Sequence, residues 1–310
     1  MVTIKELLDF RDNTRNLSLL TDIYSENKKA GDMDIVPFIG AGLSAFCYPV
    51  WYFVLKHLNG LFGAEIKDSI QSELDEGKYE KVADMIAERN EESFYNELRE
   101  MYGIKPLLPF LISIHKQAIG SLPFLFPSNL VLTSNFDGVI GATYDSVMHL
   151  MPSFEIVTED IFNNPNLLNE VNNKGILFKI HGDVFSSNQN IVFSGASYAR
   201  HYGKQTSLYK NLSTLFSRKS ILFLGSSIRQ DRFLDILKEV NNGQKHFAII
   251  ECDWGNETMQ AQRESELLSL GIAPIFYPTG EHECVRILLA YLLKNKSNWN
   301  YTRQVWYFIL

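Results

Sequence analysis

Cysteine is scarce in this sequence, and its three copies lie far apart. Cys47, Cys252 and Cys284 form no C-x-x-C pair. That leaves no zinc module and no disulfide framework, and fits the reduced thiols of a cytoplasmic protein. Basic residues are also in the minority. Lys and Arg number 29 against 36 Asp and Glu, for a formal net charge of −7, and no Lys/Arg run occurs. This balance argues against direct nucleic-acid binding. No apolar run is long enough to cross a bilayer. The N-terminal MVTIKELLDFRDNTRN lacks the apolar core of a secretion signal. Internal repeats and low-complexity segments are absent as well.

What is there is an alternation of short apolar runs with amphipathic stretches, in a chain of 310 residues that is 45% hydrophobic. That is the pattern of an α/β protein, and it predicts a Rossmann-like, doubly wound, mainly parallel sheet. The expected strands are Ile35–Ile39, Leu130–Thr133, Ile176–Ile180, Ile221–Leu224, Phe247–Ile250 and Ile275–Tyr277. Helices are expected over Val50–Asn59, Gly138–His149, Arg232–Val240, Met259–Ser269 and Glu281–Leu293.

The alternation breaks between residues 64 and 120. EKVADMIAER, ESFYNELREMYG and PLLPFLISIHKQAIG all have helical period. We read them as a helical insertion that forms a small second domain within one unit spanning residues 1–310. Further insertions are expected at Met151–Lys174 and from Phe185 to about Ser217. Insertions leaving such a sheet near its strand C-termini roof the ligand crevice. The tail, residues 294–310, ends on Trp306-Tyr307-Phe308-Ile309-Leu310. It either covers its own core or meets a partner, and with the helical insertion it is a candidate assembly surface.

Five strand ends carry chemistry. Gly40-Ala41-Gly42-Leu43-Ser44-Ala45 follows the first strand and matches G-x-G-x-x-[G/A]. The first glycine allows a tight turn, the second a close phosphate, and Ala45 close helix packing, with a helix N-terminus behind. A plain glycine turn would look the same. Leu132-Thr133-Ser134-Asn135-Phe136-Asp137-Gly138 ends the second strand, where Asp137 is also a natural helix cap. Phe178-Lys179-Ile180-His181-Gly182-Asp183 places a histidine at a strand end, fit for a general base or for a structural role. Gly225-Ser226-Ser227, with Asp231 beyond, suits a ribose or phosphate. Glu251 could accept a ribose hydroxyl pair.

Taken in order, GAGLS, TSNFD, KIHGD and LGSS resemble the sirtuin-like family, and their spacing resembles its prokaryotic branch of NAD-hydrolysing antiviral proteins. The resemblance covers residues 33–292. It implies that Gly40, Ala41, Gly42 and Ser44 hold the phosphates of NAD+, with Thr133 in the same binding set. It implies that Gly225, Ser226 and Ser227 meet the adenosine half, and Glu251 the adenine ribose. It makes His181 the base and puts Asn135 and Asp137 beside the nicotinamide ribose. Two departures from protein-deacylating sirtuins stand out. The four-cysteine zinc module is missing, so no metal is expected. Phe46-Cys47-Tyr48-Pro49-Val50-Trp51 also replaces a Pro-x-Phe-Arg loop. Both point away from a peptide substrate and towards hydrolysis of NAD+ to nicotinamide and ADP-ribose.

The resemblance further implies abortive-infection defence. It suggests a homo-oligomer held off until a phage-derived trigger or a HerA-type ATPase partner acts. Two other functions fit the same motifs: a sensor that binds NAD or ADP-ribose without turnover, and a zinc-free NAD-dependent deacylase. A dehydrogenase would want a separate substrate domain, and none is visible.

Overall fold

Strands β1 (Ile35–Ile39), β2 (Leu130–Thr133), β3 (Phe154–Val157), β4 (Gly175–Lys179), β5 (Ser220–Leu224), β6 (His246–Cys252) and β7 (Ile272–Pro278) pair into one sheet. They are seen in a computed structural model that describes residues 2–30, 35–62, 67–127, 130–147, 154–158, 160–167, 175–229, 231–240, 243 and 245–295. The order is β3-β4-β2-β1-β5-β6-β7, and every pairing is parallel. β1 lies at the centre, in register with β5 from Ile35–Ser220 to Ile39–Leu224.

Both faces of the sheet are covered, which is why β1, β4 and β5 are buried along their whole length and read as unbroken apolar runs. Alternate residues feed two cores. Ile35, Ile39, Val131, Leu177 and Leu222 point to one. Val36, Phe38, Leu132, Phe178 and Phe223 point to the other. Each such side chain stabilises the fold by about 1.5–3 kcal/mol when fully buried. Helices Trp51–Phe62, Val139–Asp145 and Glu283–Asn295 pack on the first face. Helices Ser207–Arg218, Arg232–Val240 and Glu257–Ser269 pack on the second. This is the doubly wound arrangement expected from the sequence.

The insertion after β1 contributes helices Lys67–Asp75, Tyr79–Ala87 and Glu91–Tyr102. Asn90 caps the last of these by accepting the Ser93 amide at 2.9 Å. Their buried residues, among them Leu74, Val82 and Phe94, join the same apolar cluster as the first sheet face. The stretch that follows is not α-helical as its period suggested. Leu108–Lys116 and Ala118–Ser121 are 3-10 turns. Pro109 stands at the start of the longer one, where it supplies no N–H. Ile114 is that turn's one buried residue, so little apolar burial pulls the segment into a regular helix.

One strand escapes the sequence reading. β3 lies inside the second expected insertion, at the sheet edge. Glu155 and Ile156 are exposed there, so no continuous apolar run marks it. At the opposite edge, helix Asn13–Ala30 covers β7. Asn13 donates to Phe276 O at 2.8 Å and accepts the Phe276 amide at 2.7 Å, and Asn16 donates to Pro274 O at 2.7 Å. These amides satisfy an edge that would otherwise be open to pairing. The last described helix ends at Asn295, so the apolar tail at 306–310 lies outside the described residues. Among those residues, no helix is long and apolar enough to cross a membrane.

Candidate active site

The chain leaves β1 towards β2 on one side and later returns to β5 on the other. The segments that follow β1 and β5 pack on opposite faces of the sheet. A crevice must open between such strand ends, and ligands of open α/β sheets bind there.

The glycine turn sits at this point, and its glycines make a close backbone contact. Gly40 N donates to Leu224 O at 2.8 Å and Gly42 N to Gly225 O at 2.9 Å. A Cβ on Gly40 would stand 2.6 Å from Gly225 O, and one on Gly42 2.9 Å from it. Gly225 itself has φ +66, and a Cβ there would meet Leu43 N at 2.6 Å. The turns after β1 and β5 therefore interlock backbone to backbone, and Gly42 makes room for Gly225. Ala41–Leu43 is a 3-10 turn, and the next helix begins at Trp51. No helix N-terminus stands behind the turn, and Ala45 is exposed instead of packing a helix on a strand.

The second loop docks on the first. Thr133 is fully buried, and its hydroxyl donates to Ile39 O at 2.8 Å while accepting the Asn135 amide at 3.0 Å. Asn135 Nδ2 donates to Gly40 O at 3.2 Å and to Ser44 Oγ at 3.1 Å. Ser44 in turn donates to Asp137 Oδ1 at 3.3 Å, and that oxygen also accepts the Val139 amide at 2.9 Å. Ser44, Thr133, Asn135 and Asp137 thus form one buried network. Asp137 is held upward of the usual carboxylate range by burial, with Lys179 pulling the other way. Asn135 Oδ1 is buried and has no hydrogen-bond partner. Asn135 lines a small cavity with Ala41, Ser44, Trp51 and Tyr102, of about 10 Å3. The space admits roughly one water molecule.

His181 turns elsewhere. It is 1% exposed, and Nε2 lies 2.8 Å from the Tyr202 hydroxyl, 3.5 Å from the Tyr198 hydroxyl and 3.8 Å from Asp231 Oδ1. Burial pushes the imidazole down to about 3. The Ser134 backbone opposes that shift in part, although Nδ1 has no partner within hydrogen-bond geometry. Burial also pushes the Asp231 carboxyl up to about 8, against the Phe233 amide. Burial thus favours the neutral form of both groups, so their approach is not read as an ion pair, although the Asp231 side chain is 21% exposed. A neutral imidazole is the form a general base needs, but one held near 3 is a weak base until the site opens to solvent or substrate. A substrate reaching Nε2 has to displace Tyr202.

The other expected residues fall on the same edge of the sheet. Ser226 Oγ accepts the Ile228 amide at 3.4 Å, and Ser227 is exposed, with its carbonyl accepting from Arg263. Ile228 has φ +48, a strained conformation for a β-branched residue. Glu251 is exposed near the end of β6.

The inserted helices roof this edge. Arg99 donates to Val184 O at 3.0 Å and Asn188 Oδ1 at 2.5 Å, pinning the loop after His181. Asp84 accepts the Ala196 amide at 3.1 Å, and Glu80 pairs with Arg232 at 2.8 Å. The motifs did not single out Tyr198, Tyr202 or Lys179 as site residues. The tyrosines carry no local signal, since only the fold brings the helix after Ser194 over His181. Lys179 stood in plain view inside KIHGD.

Among the described residues no group of His, Cys, Asp and Glu could hold a metal ion. The three cysteines are free thiols. No curated protein matches the chain. Residues 129–275, just under half of the chain, match the family model described as a SIR2-like domain. The matched stretch carries Asn135, Asp137, His181, Gly225 and Glu251, stops short of the Gly40 turn, and supports a sirtuin-like, NAD-related reading of the chain.

Proposed function

We propose that this protein hydrolyses the bond between nicotinamide and ribose in NAD+. The observation that carries the reading is the orphaned Asn135 Oδ1, buried at the switch point beside the interlocked glycine turns. A buried amide oxygen without a partner costs free energy unless something binds it. A water or a ribose hydroxyl is such a ligand. Neutral His181 at the next strand end supplies the second requirement, and the SIR2-like match supports the nucleotide.

In the proposed reaction the C1′–N bond breaks and its electron pair goes to the nicotinamide ring, cancelling that ring's positive charge. The sugar becomes oxocarbenium-like. A water held by Asn135 forms the new C1′–O bond, and its proton passes to His181 and then to solvent. Asp137 acts through Ser44, which ties it to Asn135. The cavity beside Asn135 admits about one water molecule, and His181 Nε2 is covered by Tyr202. Binding NAD+ therefore requires the roof helices and Tyr202 to withdraw. That need for opening suits an activity switched on by a partner. On this reading the protein assembles as a homo-oligomer and depletes NAD+ in anti-phage abortive infection. A phage-derived trigger or a HerA-type ATPase would release it. The family resemblance, and no contact within this chain, supports the defence role.

The test is product analysis of NAD+ incubated with the purified chain, alone and with the candidate ATPase. Nicotinamide and ADP-ribose in equal amounts, formed without any peptide, are expected. NAD+ bound but intact under every condition would make the protein a sensor. Turnover that depends on an acylated peptide would make it a deacylase.

A further inference from the structure

Lys179 is the last residue of β4 and lies in register with Thr133, the last residue of β2. Its side chain is 2% exposed. An ammonium has three donors, and here each has an acceptor. Nζ donates to Phe136 O at 2.9 Å, to Asp137 O at 2.6 Å and to the Asp183 carboxylate. The first two acceptors are the backbone of the loop that carries Asn135. The third belongs to the loop that carries His181, two residues beyond it. Asp183 also accepts the Phe185 amide at 2.9 Å through its other oxygen, so it is fixed to its own loop.

The Ser134 backbone against the His181 ring and a Phe136–His181 ring contact at 6.5 Å also join these loops, but backbone ties are few. The sheet ladder ends where Ile180 N donates to Thr133 O at 2.9 Å. Beyond it, one longer backbone bond spans the gap, from Val184 N to Phe136 O at 3.4 Å. Lys179 reinforces that weak crossing from beneath. A lysine kept merely to fill the core would be a poor choice, because an aliphatic residue fills volume without desolvating a charge. What an ammonium adds is a fixed three-way junction.

We propose that Lys179 is a positioning residue of this site, whose ammonium sets the Asn135 loop against the His181 loop. The inference rests on the hydrolytic reading for its effect on rate, but the junction itself can be tested without turnover. In Lys179→Ala of the full chain, amide hydrogen exchange should accelerate in residues 134–139 and 181–186 together, with the rest of the sheet unchanged. Propylammonium, which can refill the space with its own ammonium, should restore protection. The neutral alcohol propanol should not. In the NAD+ assay the same variant should lose about 100-fold in kcat, as expected for reacting groups displaced by about 1 Å. KM should stay within about twofold, and propylammonium should recover the rate.

If Lys179→Ala does not fold, Asp183→Asn provides the second arm. It keeps the ammonium and weakens one tie, so residues 181–186 should lose protection while 134–139 keep it. Exchange that stays at the wild-type rate in both loops, or that rises evenly across the chain, would overturn the proposal. Loops that loosen as expected in a protein whose wild type never consumes NAD+ would overturn the hydrolytic reading and leave the junction standing.

Discussion

An exposed histidine gains a proton as pH falls through about 6.5, but His181, sealed beneath Tyr198 and Tyr202, does so only at about 3. Buried His246 behaves alike, pushed down to about 4. Between pH 6.5 and 4 the unfolded chain therefore binds protons that the folded chain refuses. Stability falls as pH falls through that window. Asp231 has the opposite sign. Its folded carboxyl keeps a proton up to about 8, whereas an unfolded aspartate releases it near 3.8. Its contribution is lost as pH rises from about 3.8 to 8. Asp231→Asn should therefore raise stability above pH 8 and steepen the acid loss below pH 6.5. Each such group changes the slope by at most about 1.4 kcal/mol per pH unit. Urea midpoints at pH 5, 7 and 8.5 measure this, and an unchanged profile would contradict it. Tyr202→Phe removes the hydroxyl that occupies His181 Nε2. A hydrogen bond is worth about 1 kcal/mol net, so kcat/KM for NAD+ should rise about fivefold. A fall would mean that Tyr202 aids the base instead of obstructing it. At this scale the candidates His181, Asn135 and Asp137 stood out because they fall two to four residues past the end of an apolar strand. Tyr202 was not, because its position depends on how a helix 21 residues later packs.

Strands proved easier to read than the turns that join them. Six strands announced themselves by apolar runs, since burial on both faces leaves no room for polar alternation. β3 stayed hidden because an edge strand needs only one residue in two to be apolar, and Glu155 and Ile156 are exposed. The glycine turn was found by its spacing, but its contact with the β5 turn was not. Nothing local in GAGLS shows that Gly225, far along the chain, packs into it. Gly225→Ala tests that interlock. Alanine at φ +66, with its Cβ 2.6 Å from Leu43 N, should cost about 1–3 kcal/mol. It should also lower NAD+ turnover by displacing the Gly40 turn. A denaturation midpoint within error of wild type would show that the two turns do not depend on each other.

Across the whole molecule, the two apolar clusters hold the sheet whose C-terminal edge carries the candidate site, and the inserted helices pack over the loops of that edge. Glu80 and Arg232 join roof to sheet near the mouth of the crevice, with side chains 31% and 44% exposed. An exposed pair of this kind stabilises by no more than about 1 kcal/mol, which is small for the fold but appreciable for an opening step. Glu80→Gln should leave the melting temperature nearly unchanged and raise kcat/KM up to about fivefold at low salt. The gain should shrink as salt screens the wild-type pair. No change at any salt would place the opening elsewhere. The most direct test of the central claim is NAD+ turnover by Asn135→Ala and His181→Ala beside wild type, each checked for a native melting curve. Wild type should release nicotinamide, and the variants should lose about 100-fold or more in rate. A folded His181→Ala protein that consumed NAD+ at the wild-type rate would contradict the assignment of the site.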